Sequence, residues 1–121
     1  MNFTDDQFIH TYLKVREVAS LGSTIGYQEL ADAVRLGLDM HLANDRNGLG
    51  SLLSEISTAE HLAGRPLITV VVVHVKSPHL PGNEFFGLAR SHGRLAQNTP
   101  EQPFFHSELL AVHNLWKIHR P

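Results

Sequence analysis

The spacing of apolar residues predicts a helix close to the N-terminus. Thr4 and Gln7 have the spacing of a capping box, and the two aspartates between them suit the positive end of a helix dipole. Apolar residues then recur at helical intervals from Phe8 to Val18. Gly22 is expected to end this first helix.

Two further helices are predicted in the first half of the chain. Residues 27–35 carry apolar side chains at i, i+3, i+4 and i+7, which predicts a short second helix. Residues 38–47 form a polar connection whose shape the pattern leaves open. Residues 48–63 carry one continuous apolar stripe, which predicts a third helix with Gly64 as its C-cap.

The most apolar segment predicts a strand. Residues 67–75 are β-branched almost throughout, which is typical of a strand that is covered on both faces. Pro78 and Gly82 then predict a turn over residues 76–84. The chain is expected to return from this turn near Phe85.

The patterns of the C-terminal third leave one choice open. Residues 86–89 predict a short helix and residues 91–103 a loop, with Pro100 at the first position of a last helix. The apolar residues of segment 104–118 step by 4, 3 and 4, which favours a helix. A closing strand over residues 111–116 is the alternative.

The order of these elements, three helices followed by a strand and a turn, is that of a winged helix. In that fold the third helix usually enters the major groove of DNA and a strand pair forms the wing. No repeat or linker divides the chain. The sequence therefore predicts one α+β domain over residues 1–121, with a winged-helix-like three-helix core, a small β-sheet or wing, and a C-terminal helical or mixed segment.

Short motifs resemble those of O6-alkylguanine-DNA alkyltransferases and their catalytically inactive alkyltransferase-like relatives. Residues 26–31 (Gly-Tyr-Gln-Glu-Leu-Ala) resemble the Tyr-x-x-Leu-Ala motif that opens the second helix of that DNA-binding domain. Residues 46–50 (Arg-Asn-Gly-Leu-Gly) resemble the Arg-x-Val-Gly motif before its recognition helix. Residues 66–74 are similar to the segment that leads to the family's Pro-Cys-His-Arg active site, with Val73 at the cysteine and His74 at the histidine.

This resemblance implies DNA binding without alkyl transfer. A thiolate must accept the alkyl group, and Val73 cannot supply one. The family rotates a nucleotide out of the duplex, so the implied target is modified or distorted DNA. The residues expected to contact DNA are Tyr27 at the flipped base, Asn44, Arg46, Asn47 and Ser51 at the groove, and Lys76 and His79 at the backbone.

A second resemblance is closer but implies no activity. A group of small bacterial domains has an Ile-x-Tyr-x-x-Leu-Ala start, a Leu-Gly helix, a Pro-Leu-x-x-x-Val-Val strand and a Pro-Gly-x-x-Phe turn. The same patterns stand here at residues 25–31, 49–50, 66–72 and 81–85.

Composition and charge narrow the classes of partner. The formal net charge is −2 with nine histidines counted as neutral, which excludes a strong, non-specific polyanion binder. Glu55 and Glu60, on or near the outer face of the third helix, would repel phosphate. There is no cysteine, no signal-peptide pattern and no apolar run long enough to span a bilayer. The sequence therefore predicts a cytoplasmic protein with no membrane partner.

Two other functions stay open. The acidic balance favours a protein-interaction or regulatory module, or a homo-oligomer, on the same scaffold. The nine histidines leave a metal-dependent hydrolase or nuclease open, although His-Glu-x-x-His and comparable spacings are missing. The cluster Gly48-Leu49-Gly50 follows no predicted strand, so it predicts close helix packing rather than phosphate binding. The sequence thus predicts no catalytic residue, no metal ligand and no cofactor.

Overall fold

A computed structural model describes residues 2–118 of the chain and the side chains of residues 2–117. Helices dominate these residues, and strands contribute four residues in all. The elements in chain order are α1 (Asp5–Ser20), β1 (Ile25–Gly26), α2 (Tyr27–Ala33), α3 (Ala43–Leu62), a 3₁₀ segment (Ile68–Val71), β2 (Val72–Val73), α4 (Asn83–Ser91) and α5 (Glu101–Ile118).

The predicted α+β winged-helix architecture is wrong for the described residues. β1 and β2 pair in parallel, with Ile25 opposite Val72 and Gly26 opposite Val73. A wing is an antiparallel hairpin, and two parallel strands cannot form one. After β2 the chain passes through a loop over residues 74–82 and enters α4 directly. The described residues form five α-helices, one 3₁₀ segment and a two-stranded parallel sheet.

The strand predicted over residues 67–75 is also wrong. Only Val72 and Val73 are extended and paired, while Ile68–Val71 coils as a 3₁₀ helix. Two side chains satisfy its backbone donors: Glu108 accepts the N–H of Leu67 at 2.9 Å, and Ser57 accepts that of Thr69 at 3.2 Å. Side chains from α3 and α5 thus accept hydrogen bonds that a neighbouring strand would otherwise accept. The run of valines indicates that the segment is buried, not that it is a strand.

The helical predictions for the first half of the chain are confirmed, with one shifted boundary. The capping box of Thr4 and Gln7 starts α1, with both of its hydrogen bonds formed. α2 lies where it was predicted. α3 begins at Ala43, before the predicted start, because side chains order the preceding loop. Gln28 donates to the carbonyl of Leu38 and accepts from the N–H of Met40.

The C-terminal segment is a helix throughout its described length, so the alternative of a closing strand is wrong. α5 packs against α1 and against the 3₁₀ segment, which also contacts α3. The 3₁₀ segment is therefore the centre of the core, and Val70 and Val71 are fully buried. The short helix predicted near residue 86 is confirmed and extends over Asn83–Ser91. Among the described residues, no helix combines the length and apolarity needed to cross a bilayer.

Buried charges join the helices at the C-terminal end of α3. Glu60 is 1% exposed and forms a two-pronged ion pair with Arg65, at 2.7 and 3.0 Å. Arg94 donates to the Nδ1 atom of His61 at 2.8 Å and to the carbonyl of Arg65, and lies 3.6 Å from Glu108. These contacts fix the loops after α3 and α4 against α5.

Candidate functional site

A pocket of about 410 Å³ opens at the N-terminal half of α3. Its walls come from α3, the start of α2, the residue after β2 and the first turns of α4. The lining residues are Tyr27, Met40, Arg46, Asn47, Gly50, Leu53, Ser54, Thr69, His74, Gly82, Asn83, Glu84, Phe85 and Leu88. The volume lies in the range of small-molecule sites, with an apolar floor and a few polar groups.

Tyr27 stands in the pocket wall because β1 delivers it as the first residue of α2. Its hydroxyl accepts the N–H of Gly82 at 2.7 Å. Burial raises the pKa of this hydroxyl, the Gly82 hydrogen bond lowers it, and the charge of Glu84 raises it again, with a net rise. Tyr27 is therefore a neutral phenol at physiological pH, and its own hydrogen remains to be donated.

His74 lies beside Tyr27 in the pocket wall. The two ring centroids are 5.0 Å apart and the ring planes are inclined by 38°. The backbone N–H of His74 donates to the carbonyl of Leu80 at 2.9 Å, which closes the loop over residues 74–82. Gly82 lies beside both rings, so the loop brings the tyrosine and histidine side chains to one wall.

Arg46 forms the rim of the pocket on the first turn of α3. Its Nη1 atom donates to the carbonyl of Met40 at 3.0 Å, and the side chain is otherwise exposed. Asn47, the next residue, lines the pocket as well. The hydrogen bond to Met40 uses one of five guanidinium donors, so the others are open to a ligand.

Glu84 and Gly50 meet where α4 begins beside α3. A Cβ atom added to Gly50 would overlap the carboxylate of Glu84, so the glycine makes room for that group against α3. Glu84 has no hydrogen bond or ion pair to any residue of the described range 2–118. The pocket thus holds an acceptor group without a protein donor.

The predicted contact residues divide into three places. Tyr27, Arg46 and Asn47 come together in the pocket. Asn44 and Ser51 lie with Asn47 along a shallow depression on the neighbouring face of α3. The loop after β2 carries the last two: Lys76 lines a depression behind His74, and His79 lies exposed with a φ of 59°.

The face of α3 that carries Ser51 is acidic. Ser51 lies in a groove with Asp5, from the first turn of α1, and with Glu55. Neither carboxylate has an ion-pair partner within the described part of the chain. The predicted phosphate repulsion by Glu55 therefore applies to this side of α3, whereas Glu60 is buried and paired and does not contribute to it.

Sequence reasoning did not select Ser54, Glu84 or Gly50 for the site. Glu84 was assigned to a turn, and its neighbour in space is remote in sequence. A glycine inside a helical stripe is the one local signal of a close approach. The prediction of close packing at the Gly48–Gly50 cluster is consistent with Gly50, although the group that approaches is a side chain rather than a helix backbone.

The histidines do not assemble a metal centre in the described residues. No group of three or more histidine, aspartate or glutamate side chains between residues 2 and 118 is placed to hold a metal ion. The hydrolase or nuclease alternative therefore gains no geometric support. The stacked pair His61 and His92, with centroids 4.3 Å apart, is held by Arg94 and Thr58 instead.

Comparison of the chain with protein-family models, with curated proteins and with solved structures gives no match in any of the three. The resemblance to alkyltransferase-like proteins stays a prediction from the motifs. Any assignment of function must come from the geometry of the pocket and from the charges around it.

Proposed function

We propose that this chain is a non-catalytic nucleic-acid-binding domain that takes an unstacked base of distorted or modified DNA into its pocket. The observation that carries the proposal is the convergence of Tyr27, Arg46 and His74 on one cavity beside the N-terminus of α3. An aromatic wall for stacking and a cation at the rim are what a protein uses to hold a base outside the stack.

The chemistry of the pocket suits a flat heterocycle. The rings of Tyr27 and His74 offer surfaces for stacking, and base–aromatic stacking contributes about 1–3 kcal/mol per base. Asn47 and Ser54 add polar groups that can bond to the edge of the ring. Because Val73 is buried and has no nucleophilic atom, the proposed role is binding and not transfer.

Arg46 in the pocket and Lys76 in the adjoining depression supply positive charge for the DNA backbone. Both side chains are exposed, whereas the neighbouring groove of α3 carries Asp5 and Glu55. With about two phosphates neutralised, the logarithm of the binding constant should fall with the logarithm of salt concentration with a slope of about −2. Affinity is thus expected to come mainly from the captured base.

Fluorescence anisotropy tests this proposal directly. The titrations compare a fully paired duplex with the same duplex carrying one mismatched base, each at two salt concentrations. We expect micromolar or tighter binding of the mismatched duplex, about 10-fold weaker binding of the paired one, and weaker binding of both at higher salt. No binding of either duplex at low salt would refute the proposal.

Arg46→Gln provides the matched variant. Loss of the rim cation should weaken binding of the mismatched duplex about 10-fold, because Arg46 contributes both charge and hydrogen bonds. Lys117→Gln removes one positive charge from an exposed position on α5, outside the pocket. It should change affinity less than 2-fold at moderate salt, where distant charges are screened.

One observation supports the alternative of a protein-interaction module. Ile9 and Leu13 are each 50% exposed and lie one turn apart on α1, away from the pocket lining. Sedimentation velocity over a range of protein concentrations tests self-association through this face. A dimer that Leu13→Ser dissociates would favour the alternative, whereas a monomer at all concentrations would remove the homo-oligomer.

A further inference from the structure

Glu84 is an exposed carboxylate in the first turn of α4, and it lines the pocket without an ion-pair partner in the described chain. Glu60, Glu101 and Glu108 each lie within 4.0 Å of an arginine. Glu84 lies in the pocket without such a neighbour among residues 2–118, although Arg46 lines the same cavity. An ionised carboxylate offers about four lone-pair sites and no donor, so a ligand that enters the pocket meets an unused acceptor.

Gly50 leaves room for this acceptor against α3. A helix-interior glycine costs up to about 1 kcal/mol relative to alanine, because the unfolded chain is freer. At this position the missing Cβ is the space that the carboxylate of Glu84 occupies. The carboxylate therefore lies against α3, with its charge close enough to Tyr27 to raise the pKa of the phenol.

We infer that Glu84 selects the base that the pocket accepts, by taking a hydrogen bond from an exocyclic amino group. This inference rests on the proposed function and names the chemistry of its ligand. Acidic side chains accept from the amino group of cytosine in the same way. A base that presents a carbonyl oxygen at that position would set oxygen against carboxylate and leave both groups without a donor.

Two pairs of bases test the amino group. Guanine differs from hypoxanthine by its 2-amino group alone, whereas cytosine differs from uracil at C4, amino against carbonyl, and at N3, which carries a hydrogen only in uracil. Each base is placed as the single mismatched nucleotide of one duplex and titrated by fluorescence anisotropy. We expect the amino-bearing member of at least one pair to bind about 10-fold more tightly. Equal affinities within both pairs would overturn the inference and leave the proposed function standing.

Glu84→Gln separates selection from general charge. The amide keeps the shape but replaces one acceptor oxygen with a donor, so the 10-fold preference should fall below about 2-fold. Binding of the amino-bearing base should weaken because its acceptor is lost, and binding of the carbonyl-bearing base should tighten because a repelling negative charge is lost. Glu55→Gln, on the outer groove of α3, is the matched control. It should leave the affinity for both bases equal or raise it, and keep the preference.

Gly50→Ala tests the same inference by displacing the carboxylate of Glu84. The new methyl group must push the carboxylate of Glu84 away from α3, so the preference should be lost although Glu84 is still present. Gly87→Ala adds the same methyl group to α4 where no atom lies within 4 Å. This control should keep the preference. A Gly50→Ala protein that retains the full preference would contradict the placement of the carboxylate.

Nucleosides keep the inference testable if DNA does not bind. In that case cytidine and uridine are titrated against the isotopically labelled protein, and the amide signals of Gly50 and Glu84 are followed by NMR. Shifts with cytidine but not uridine, abolished by Glu84→Gln, would support amino-group selection while the nucleic-acid proposal fails. No shift with either nucleoside, together with no DNA binding, would overturn both.

Discussion

The carboxylates at the two ends of α3 differ in burial and in hydrogen bonding. At its C-terminal end Glu60 is buried and accepts two hydrogen bonds from Arg65, at 2.7 and 3.0 Å. At its N-terminal end the carboxylate of Glu84 lies against Gly50 and meets no donor within residues 2–118. A buried charge must be paired, whereas an unpaired charge in an open pocket stays hydrated until a ligand replaces the water. The first end therefore serves stability and the second is available for binding.

The largest contrast should come from making one substitution at both ends. Glu60→Gln should lower the free energy of unfolding by about 2–3 kcal/mol, because it breaks a buried charged pair with Arg65. Glu84→Gln should change it by less than about 0.5 kcal/mol, since no protein contact is lost. Urea denaturation followed by circular dichroism measures both. Similar losses in the two variants would contradict the division of roles between the two ends.

A smaller effect is expected from the loop that leads into α3. Gln28→Ala removes the hydrogen bonds to Leu38 and Met40 that order this loop, and should cost about 1 kcal/mol of unfolding free energy. Because Met40 lines the pocket, binding of the mismatched duplex should weaken as well. Gln102→Ala, at an exposed position of α5, is the control. Unfolding free energies that match between these two variants would show that Gln28 does not hold the loop.

The next smaller effect concerns two helix-interior glycines, Gly50 in α3 and Gly87 in α4. Gly87→Ala should raise the free energy of unfolding by about 0.5–1 kcal/mol, because alanine favours the helix and meets open space. Gly50→Ala gains the same helix propensity but must displace Glu84, so its net gain should be smaller. Thermal unfolding of the two variants side by side measures the difference. A larger gain at Gly50 would show that the carboxylate is not held there.

The smallest effect is a pH dependence of the free energy of unfolding, which we expect from His61 at the C-terminal end of α3. Burial, together with the nearby His92 and the positive charge of Arg94, lowers the pKa of His61 from its ordinary value of 6.5. As the pH falls below 6.5, the unfolded chain binds this proton before the folded chain does, so stability is lost between 6.5 and the lower folded value. Protonation also removes the lone pair that accepts from Arg94.

Unfolding curves collected from pH 7.5 to pH 5 measure this loss. His61→Gln keeps an acceptor for Arg94 but cannot titrate, so its stability should depend less on pH than that of the natural chain. His10→Gln, at an exposed position of α1, should leave the dependence unchanged. An unaltered slope in the His61 variant would show that this histidine does not contribute to acid sensitivity.

The helices could be predicted wherever the information is local. α1 is specified by the capping box of Thr4 and Gln7 and by its apolar period, and the structure keeps both. The start of α3 could not be predicted, because Gln28 of another helix orders the residues before it. For the candidate site, Tyr27 and Arg46 could be selected from motifs, whereas Glu84 could not, because its contact with Gly50 exists only after α4 packs on α3.

The sequence alone determined where the helices lie, how α1 is capped and that no thiol is available for alkyl transfer. Each of these properties depends on a residue's identity or on neighbours within a few positions. The tertiary structure decided that the valine segment coils, because Glu108 and Ser57 supply hydrogen bonds that a strand partner would otherwise give. It also decided the pocket, since side chains from α2, α3 and α4 become neighbours only when the helices pack. The apolar residues of the sequence predict which segments are buried, but which side chains contact each other depends on how the whole chain packs.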